Sequence, residues 1–69
     1  MTRTAVTSSN LRSVGYDPAS RILEIEFKNG VYQYADVPLE VYEALMASAS
    51  LGSYFIQNIK DDYSASKIP

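Results

Sequence analysis

The sequence predicts an α+β fold, with a three-stranded antiparallel β-meander and two short C-terminal helices packed on one of its faces. Two observations carry this prediction. Apolar and polar residues alternate on both sides of Asn29-Gly30, and this arrangement is the strongest short-range signal for a β-hairpin. Apolar residues then recur at helical spacing from Val41 to Met46 and from Leu51 to Ile59. The helices are expected to cover the apolar face of the sheet, because nothing else in the chain can.

Length and composition exclude several classes of protein. The 69 residues make one domain, and a hydrophobic content of 46% is too high for a disordered chain. Cysteine and histidine are absent, so neither a disulfide nor a structural zinc site is expected. A net charge of −2 indicates no extended basic surface, and no apolar run suggests a signal peptide or a membrane span. We expect a cytoplasmic protein with a flexible lead-in over 1–9, a domain over 10–63 and a tail over 64–69.

The first strand is predicted around Val14 and Tyr16, which alternate with smaller or polar residues. Asp17-Pro18-Ala19-Ser20 then forms a turn, since proline presets φ at its second position and the aspartate can accept a bond from the backbone ahead. If this loop has four residues, Tyr16 pairs with Arg21 and Val14 pairs with Leu23. Val14 then belongs to the apolar face of the sheet.

The hairpin turn is predicted to be a two-residue type I′ turn, with both Asn29 and Gly30 at positive φ. This turn pairs Phe27 with Tyr32 and Ile25 with Tyr34. Both tyrosines then share the apolar face, and the third strand becomes an unpaired edge of the sheet.

Each helix has a start signal. Pro38 suits the first position of the first helix, where its missing N–H costs nothing. Ser50 can cap the second helix, and Gly52 within that helix indicates a close approach of another backbone segment. The apolar stripes of the two helices comprise Val41, Tyr42, Leu45 and Met46, followed by Leu51, Tyr54, Phe55, Asn58 and Ile59. Phe55 is expected to be buried between the second helix and the sheet.

An ordered set of short motifs resembles the KTSC domain family. The motifs are Val14-Gly15-Tyr16-Asp17-Pro18, Leu23-x-Ile25-x-Phe27, Tyr32-x-Tyr34, Asp36-Val37-Pro38 with Val41-Tyr42, and Ser50-x-Gly52-x-Tyr54-Phe55 with Asn58-Ile59 and Tyr63. The resemblance covers about Ser9 to Tyr63. It implies a small domain of the kind found at the C-terminus of some lysyl-tRNA synthetases and in stand-alone bacterial proteins.

The same resemblance implies a role in RNA binding and brings no catalytic residues with it. The family-motif side chains Tyr32, Tyr34, Tyr54, Phe55 and Asn58 are interpreted as structural. Members of the family often carry basic residues after the second helix, whereas this chain has Asp61-Asp62 there. Two adjacent carboxylates would repel a phosphate backbone, which weakens the expectation of RNA binding for this member.

Few residues of the chain are arranged in a way that would suit catalysis. Glu24 and Glu26 share one strand face at roughly 6.5–7 Å by strand rise, a spacing that would suit an inverting carboxylate pair. We favour a solvated outer face with alternating polarity instead. The serines have no histidine to activate them. No enzyme activity, cofactor or metal is therefore predicted.

The tyrosines could either stack on bases or fill the core. The predicted hairpin register places Tyr32 and Tyr34 on the apolar face of the sheet, which favours a position in the core. Tyr16 and Tyr63 are better candidates for a binding surface. Arg12 and Arg21 are expected to approach each other across the first two strands, beside Tyr16. The candidate ligand-binding residues are Arg12, Tyr16, Arg21 and Tyr63.

Two functions from different classes remain open at this stage. The first is a non-catalytic module that binds RNA or a nucleotide-type ligand, with the affinity of about 10⁻⁴–10⁻⁶ M that is typical of non-specific association. The second is a protein-interaction or homo-oligomerisation module, which would use the outer sheet face or the third strand as an edge. Neither function requires a membrane.

Overall fold

Five antiparallel strands form one sheet, and they lie side by side in chain order. The computed structural model describes residues 1–69. Its elements are β1 (Thr4–Ala5), β2 (Leu11–Asp17), β3 (Ile22–Phe27), β4 (Gly30–Tyr34), α1 (Leu39–Ala47), α2 (Leu51–Asn58) and β5 (Ala65–Ile68). The predicted α+β class with two helices is confirmed. The predicted sheet of three strands is wrong, because β1 and β5 extend it on both sides.

The two additional strands lie in the segments predicted as a lead-in and a tail. Both residues of β1 are exposed, and so are three of the four residues of β5. Such strands are held by backbone hydrogen bonds and leave no burial pattern in the sequence. Because β5 pairs with β4, the prediction that the third strand of the meander is a free edge is also wrong.

The β3–β4 hairpin has the predicted faces but a different register. Phe27 pairs with Gly30, Ile25 with Tyr32 and Leu23 with Tyr34, so the turn residues are 28 and 29. Of Asn29 and Gly30, only Gly30 has a positive φ, at 146°. The predicted type I′ turn, which needs a positive φ at both residues, is therefore wrong. The register differs by two residues, and an even shift keeps both tyrosines on the core face.

The β2–β3 connection departs from the prediction in the same way. Tyr16 pairs with Leu23 and Val14 with Ile25, which again shifts the register by two residues and leaves Val14 fully buried. The Asp17 carboxylate accepts hydrogen bonds from the Ala19 N–H at 3.1 Å and from the Ser20 hydroxyl at 2.8 Å. The turn over 18–21 is held by these bonds.

Both helices begin close to their predicted starts. Pro38 precedes α1 as an extended N-cap residue, with φ −64° and ψ 151°, rather than occupying the first helical position. Ser50 caps α2 as predicted, since its hydroxyl accepts a hydrogen bond from the Ser53 N–H at 3.3 Å. Gly52 is buried, and a Cβ built on it would lie 2.9 Å from Nδ2 of Asn10. Another segment does approach Gly52 closely, but the predicted backbone contact is wrong, because the nearest atoms belong to the Asn10 side chain.

The helices pack on one sheet face and enclose a core of 9 residues. The core residues are Leu11, Val14, Leu23, Ile25, Tyr34, Val37, Leu45, Phe55 and Ile59. The Phe55 ring centroid lies 5.1 Å from that of Phe27 and 5.5 Å from that of Tyr34, so its predicted burial between α2 and the sheet is confirmed. Neither helix has the length and apolar character that crossing a bilayer requires.

Candidate functional site

A hydrogen-bonded polar cluster lies on the sheet face opposite the helices. Arg3 donates from Nη1 to Glu24 Oε2 and, at 2.9 Å, from Nε to Ser13 Oγ. Gln33 donates to the other Glu24 oxygen at 2.9 Å, and the Ser13 hydroxyl donates to Glu26 Oε1 at 3.0 Å. We call these five residues the outer cluster. Only 7% of the Glu24 side chain is exposed, so the predicted solvated face is wrong at this position.

The N-terminal arm, residues 2–6, covers Glu24. Thr4 and Ala5 pair with Val14 and Ser13, and the preceding residues cross over Gly15. A Cβ built on Gly15 would lie 2.7 Å from the Thr2 carbonyl oxygen and 3.1 Å from Cγ of Arg3. A glycine within a strand is a known sign that another backbone approaches closely, and here the approaching backbone is the chain's own arm.

The electrostatics of the outer cluster favour an ionised Glu24. The hydrogen bond from Gln33 is the largest influence that lowers the pKa of Glu24 from its ordinary 4.5, and the hydrogen bond and charge of Arg3 add to it, while burial opposes both. The general acid of an inverting pair needs a raised pKa. This shift has the opposite sign, so Glu24 is not suited to the role of the general acid.

A pH dependence of stability follows from the Glu24 shift. A carboxyl whose pKa is lower in the folded state stabilises the fold above its unfolded pKa, and that contribution is lost as pH falls through the folded pKa. We expect the loss to begin below about pH 4.5 and to be modest, since Arg3 is partly exposed and its charge is screened by solvent.

Urea unfolding at a series of pH values measures this effect. Glu24→Gln is the matched control, because it keeps the shape of the side chain and removes its titration. The difference in unfolding free energy between parent and variant should shrink as the solution becomes more acidic. A difference that stays constant from neutral pH to the acid limit of folding would contradict the assignment.

A second feature is an open groove of about 730 Å³ between the β3–β4 turn and α2. We call it the hairpin groove. It has an apolar floor, two lysines and three uncharged polar side chains, and no carboxylate lines it. The lining residues are Ser9, Asn10, Phe27, Lys28, Asn29, Phe55, Ile56 and Lys60. This arrangement can bind an anion that also carries an apolar or aromatic part.

Local structure explains how the two lysines of the hairpin groove come together. Lys28 is held in the two-residue turn between β3 and β4, and Lys60 follows the C-cap residue of α2. The contact of Asn10 with Gly52 brings the 9–10 loop to the same place. The sequence alone does not predict this arrangement, because no motif links position 28 with position 60.

The four predicted ligand-binding residues do not form one site. Tyr16 and Arg21 line a smaller groove of about 350 Å³ beside Pro38 and Leu39. Arg12 lies at the irregularity between Leu11 and Ser13, near the other end of β2. At a strand rise of about 3.3 Å per residue, this places it roughly 16 Å from the turn that holds Arg21. The predicted Arg12–Arg21 patch is therefore not formed.

The tyrosines predicted for ligand binding, Tyr16 and Tyr63, both pack against other residues of the chain. The Tyr16 hydroxyl donates to the Val37 carbonyl, and its ring stacks on Tyr42 with centroids 4.9 Å apart. Tyr63 is half-buried against the core. Among the family-motif side chains, Tyr34 and Phe55 are buried, Tyr32 and Tyr54 are partly buried, and Asn58 is exposed. The Asn58 amide donates to the Tyr54 carbonyl at 3.2 Å.

Residues 7–63 match the family model described as the KTSC domain. The chain belongs to the KTSC domain family. The crystal structure of a KTSC domain protein from Yersinia pestis has 40% sequence identity and a TM-score of 0.97, and the match covers 99% of this chain and 97% of that one. The resemblance inferred from the sequence motifs is thereby confirmed.

Curated relatives show the KTSC domain in two settings. A protein of Stutzerimonas stutzeri is 50% identical over 64 residues, covering 91% of this chain and 90% of its own length. A protein of Tsukamurella paurometabola is 39% identical over 61 residues, covering 87% and 91%. A lysine–tRNA ligase of Nostoc is 38% identical over 56 residues, which are 80% of this chain but 10% of the ligase.

The hairpin groove and the outer cluster of this KTSC domain differ in how much of each lies within the residues that match the family model. Every residue of the hairpin groove lies within 7–63. The outer cluster has four members within that range, whereas Arg3 and the rest of the N-terminal arm precede it. The groove is thus built wholly from the family domain, and the cluster is completed by a segment outside the family model.

Proposed function

We propose that this chain is a non-catalytic binding module whose hairpin groove takes a phosphate-bearing ligand, either single-stranded RNA or a nucleotide. The observation that carries the proposal is that Lys28 and Lys60 line the same groove, which has an apolar floor and no carboxylate in its lining. The chain has a net charge of −2, so a groove whose charged lining residues are both cations is a local departure from that balance.

The remaining lining groups suit the same kind of ligand. Asn10 and Asn29 offer amide groups that can donate to phosphate oxygens or pair with the polar edges of a base. The ring of Phe27 is partly exposed, and Ile56 is 53% exposed. An aromatic or aliphatic surface beside two ammonium groups matches a base attached to a phosphate.

A relative supports the RNA form of the proposal. The Nostoc protein that shares this domain is a lysine–tRNA ligase, so in that protein the domain belongs to an enzyme that acts on tRNA. Self-association through an uncovered outer face or a free β4 edge has less support, because the N-terminal arm partly covers that face and β5 pairs with that edge.

Two lysines limit the affinity that the groove can reach. Each phosphate contact with a single strand contributes about −0.7 to the slope of log K against log salt, so two contacts give roughly −1.4. We expect dissociation constants for generic single-stranded RNA in the range of about 10⁻⁴–10⁻⁶ M at physiological salt.

Fluorescence anisotropy with labelled single-stranded RNA at several salt concentrations tests the proposal. Lys28→Glu combined with Lys60→Glu should weaken binding about tenfold or more. Arg12→Glu combined with Arg21→Glu is the control, because it changes the net charge equally at residues that do not line the groove.

The control variant should keep most of the parental affinity. Equal losses in the two variants would show a diffuse charge effect and contradict the groove as the site. Absence of binding by the parent to both RNA and mononucleotides would overturn the proposal as a whole. Submicromolar binding that only the arginine variant abolishes would move the site to those arginines.

A further inference from the structure

The N-terminal arm is attached to the sheet as a bound peptide would be. Its backbone pairs with β2 at Thr4 and Ala5, and the Val6 N–H donates to the Arg12 carbonyl at 3.1 Å. The residues from Met1 to Ala5 are exposed. Arg3 is the side chain by which the arm enters the outer cluster.

The groups that receive Arg3 belong to the sheet and are also held by hydrogen bonds to other sheet residues. Gln33 holds one oxygen of Glu24 and leaves the other oxygen for Nη1 of the arginine. The Ser13 proton is directed to Glu26, so the Ser13 oxygen is left to accept from Nε. Two acceptors at fixed positions match the fork of a guanidinium group and do not match the single charge of a lysine.

The backbone of β2 also contributes to the site, through Gly15 and through its edge. Because Gly15 has no Cβ, the chain that carries the arginine can cross β2 at contact distance. The following two residues can then add to the β2 edge by strand pairing. The site therefore recognises an extended segment in which an arginine immediately precedes two strand residues.

We propose that the outer cluster is a guanidinium-binding site for an arginine-bearing extended strand, and that its partner in solution is the N-terminal arm of a second copy of this chain. The arm within the same chain competes for this site. The sequence that fits is the chain's own, and the arm is joined to β2 by the connection over 7–10, which has no regular secondary structure. The arm lies outside the family match, whereas Ser13, Glu24 and Gln33 lie within it.

A labelled peptide with the sequence of residues 1–7 tests the site in trans. The full chain carrying Arg3→Ala should bind this peptide at least about tenfold more tightly than the parent does, because its own arm competes less well. A peptide with Arg3→Lys should bind the same protein much more weakly. Adding Glu24→Gln to the Arg3→Ala protein should abolish peptide binding.

Folding of each variant is checked by circular dichroism, and full-length Arg3→Lys provides a more conservative receptor if Arg3→Ala is unfolded. Equal binding of the arginine and lysine peptides, or no binding by either receptor, would overturn the guanidinium site. Sedimentation of the parent at rising concentration should reveal a dimer that Arg3→Lys weakens. A parent that stays monomeric throughout would overturn the second copy as the partner.

Discussion

Phe55→Ala is expected to lower the free energy of unfolding by about 3–5 kcal/mol. The side chain is 6% exposed, and its ring packs against Phe27 of β3 and Tyr34 of β4. Truncation would leave a cavity where α2 meets the sheet. The core of so short a chain rarely supplies more than about 3–5 kcal/mol, so the variant should be largely unfolded without stabilising additives.

Ile56→Ala is the matched control for this prediction. It is the next residue of the same helix, it also becomes alanine, and it is 53% exposed. Urea unfolding followed by far-ultraviolet circular dichroism should show a small change for Ile56→Ala and a large one for Phe55→Ala. Similar midpoints for the two variants would mean that α2 presents a different face to the sheet.

Gly30→Ala is expected to cost about 1–3 kcal/mol. Gly30 has a φ of 146°, a conformation that is strained for any residue with a Cβ. The added Cβ would also lie 2.7 Å from Cε of Lys67 on β5. The lysine side chain is long and can move, so backbone strain should account for most of the loss.

Two further variants separate these causes. Gly30→Ala combined with Lys67→Ala should remain destabilised relative to Lys67→Ala alone, and full recovery would show that the lysine contact was the cause. Gly52→Ala is the control for a glycine without positive φ. Its steric neighbour is the end of the exposed Asn10 side chain, and helix propensity favours alanine by about 1 kcal/mol, so its net effect should be small.

The faces of the central strands could be predicted, but their register could not. Alternation assigns Val14, Leu23, Ile25, Tyr32 and Tyr34 to one side, and a shift of two residues preserves that assignment. The same alternation cannot distinguish registers that differ by two. The turn conformations decide between them, and they depend on which residue takes a positive φ.

The edges of the sheet and the candidate site depend on contacts that the sequence pattern does not record. The strands β1 and β5 bury almost no side chains, so their segments resembled tails. Burial of Glu24 requires the arm to fold over it, and an alternating strand gives no sign of this. Lys28 and Lys60 line the same groove because α2 docks against the hairpin, whereas Arg12 and Arg21 lie near opposite ends of β2.

The position of β5 has a consequence for the order of folding. The strands β2, β3 and β4 are joined by short turns, whereas β4 and β5 enclose the segment 35–64, which contains both helices. Contacts across a longer loop carry a larger entropy of closure and tend to form later. We therefore expect β5 to pair after the rate-limiting step, so that mutations in it speed unfolding and leave the folding rate almost unchanged. Until β5 pairs, the backbone of β4 is exposed, and aggregation during refolding should depend on how long that interval lasts.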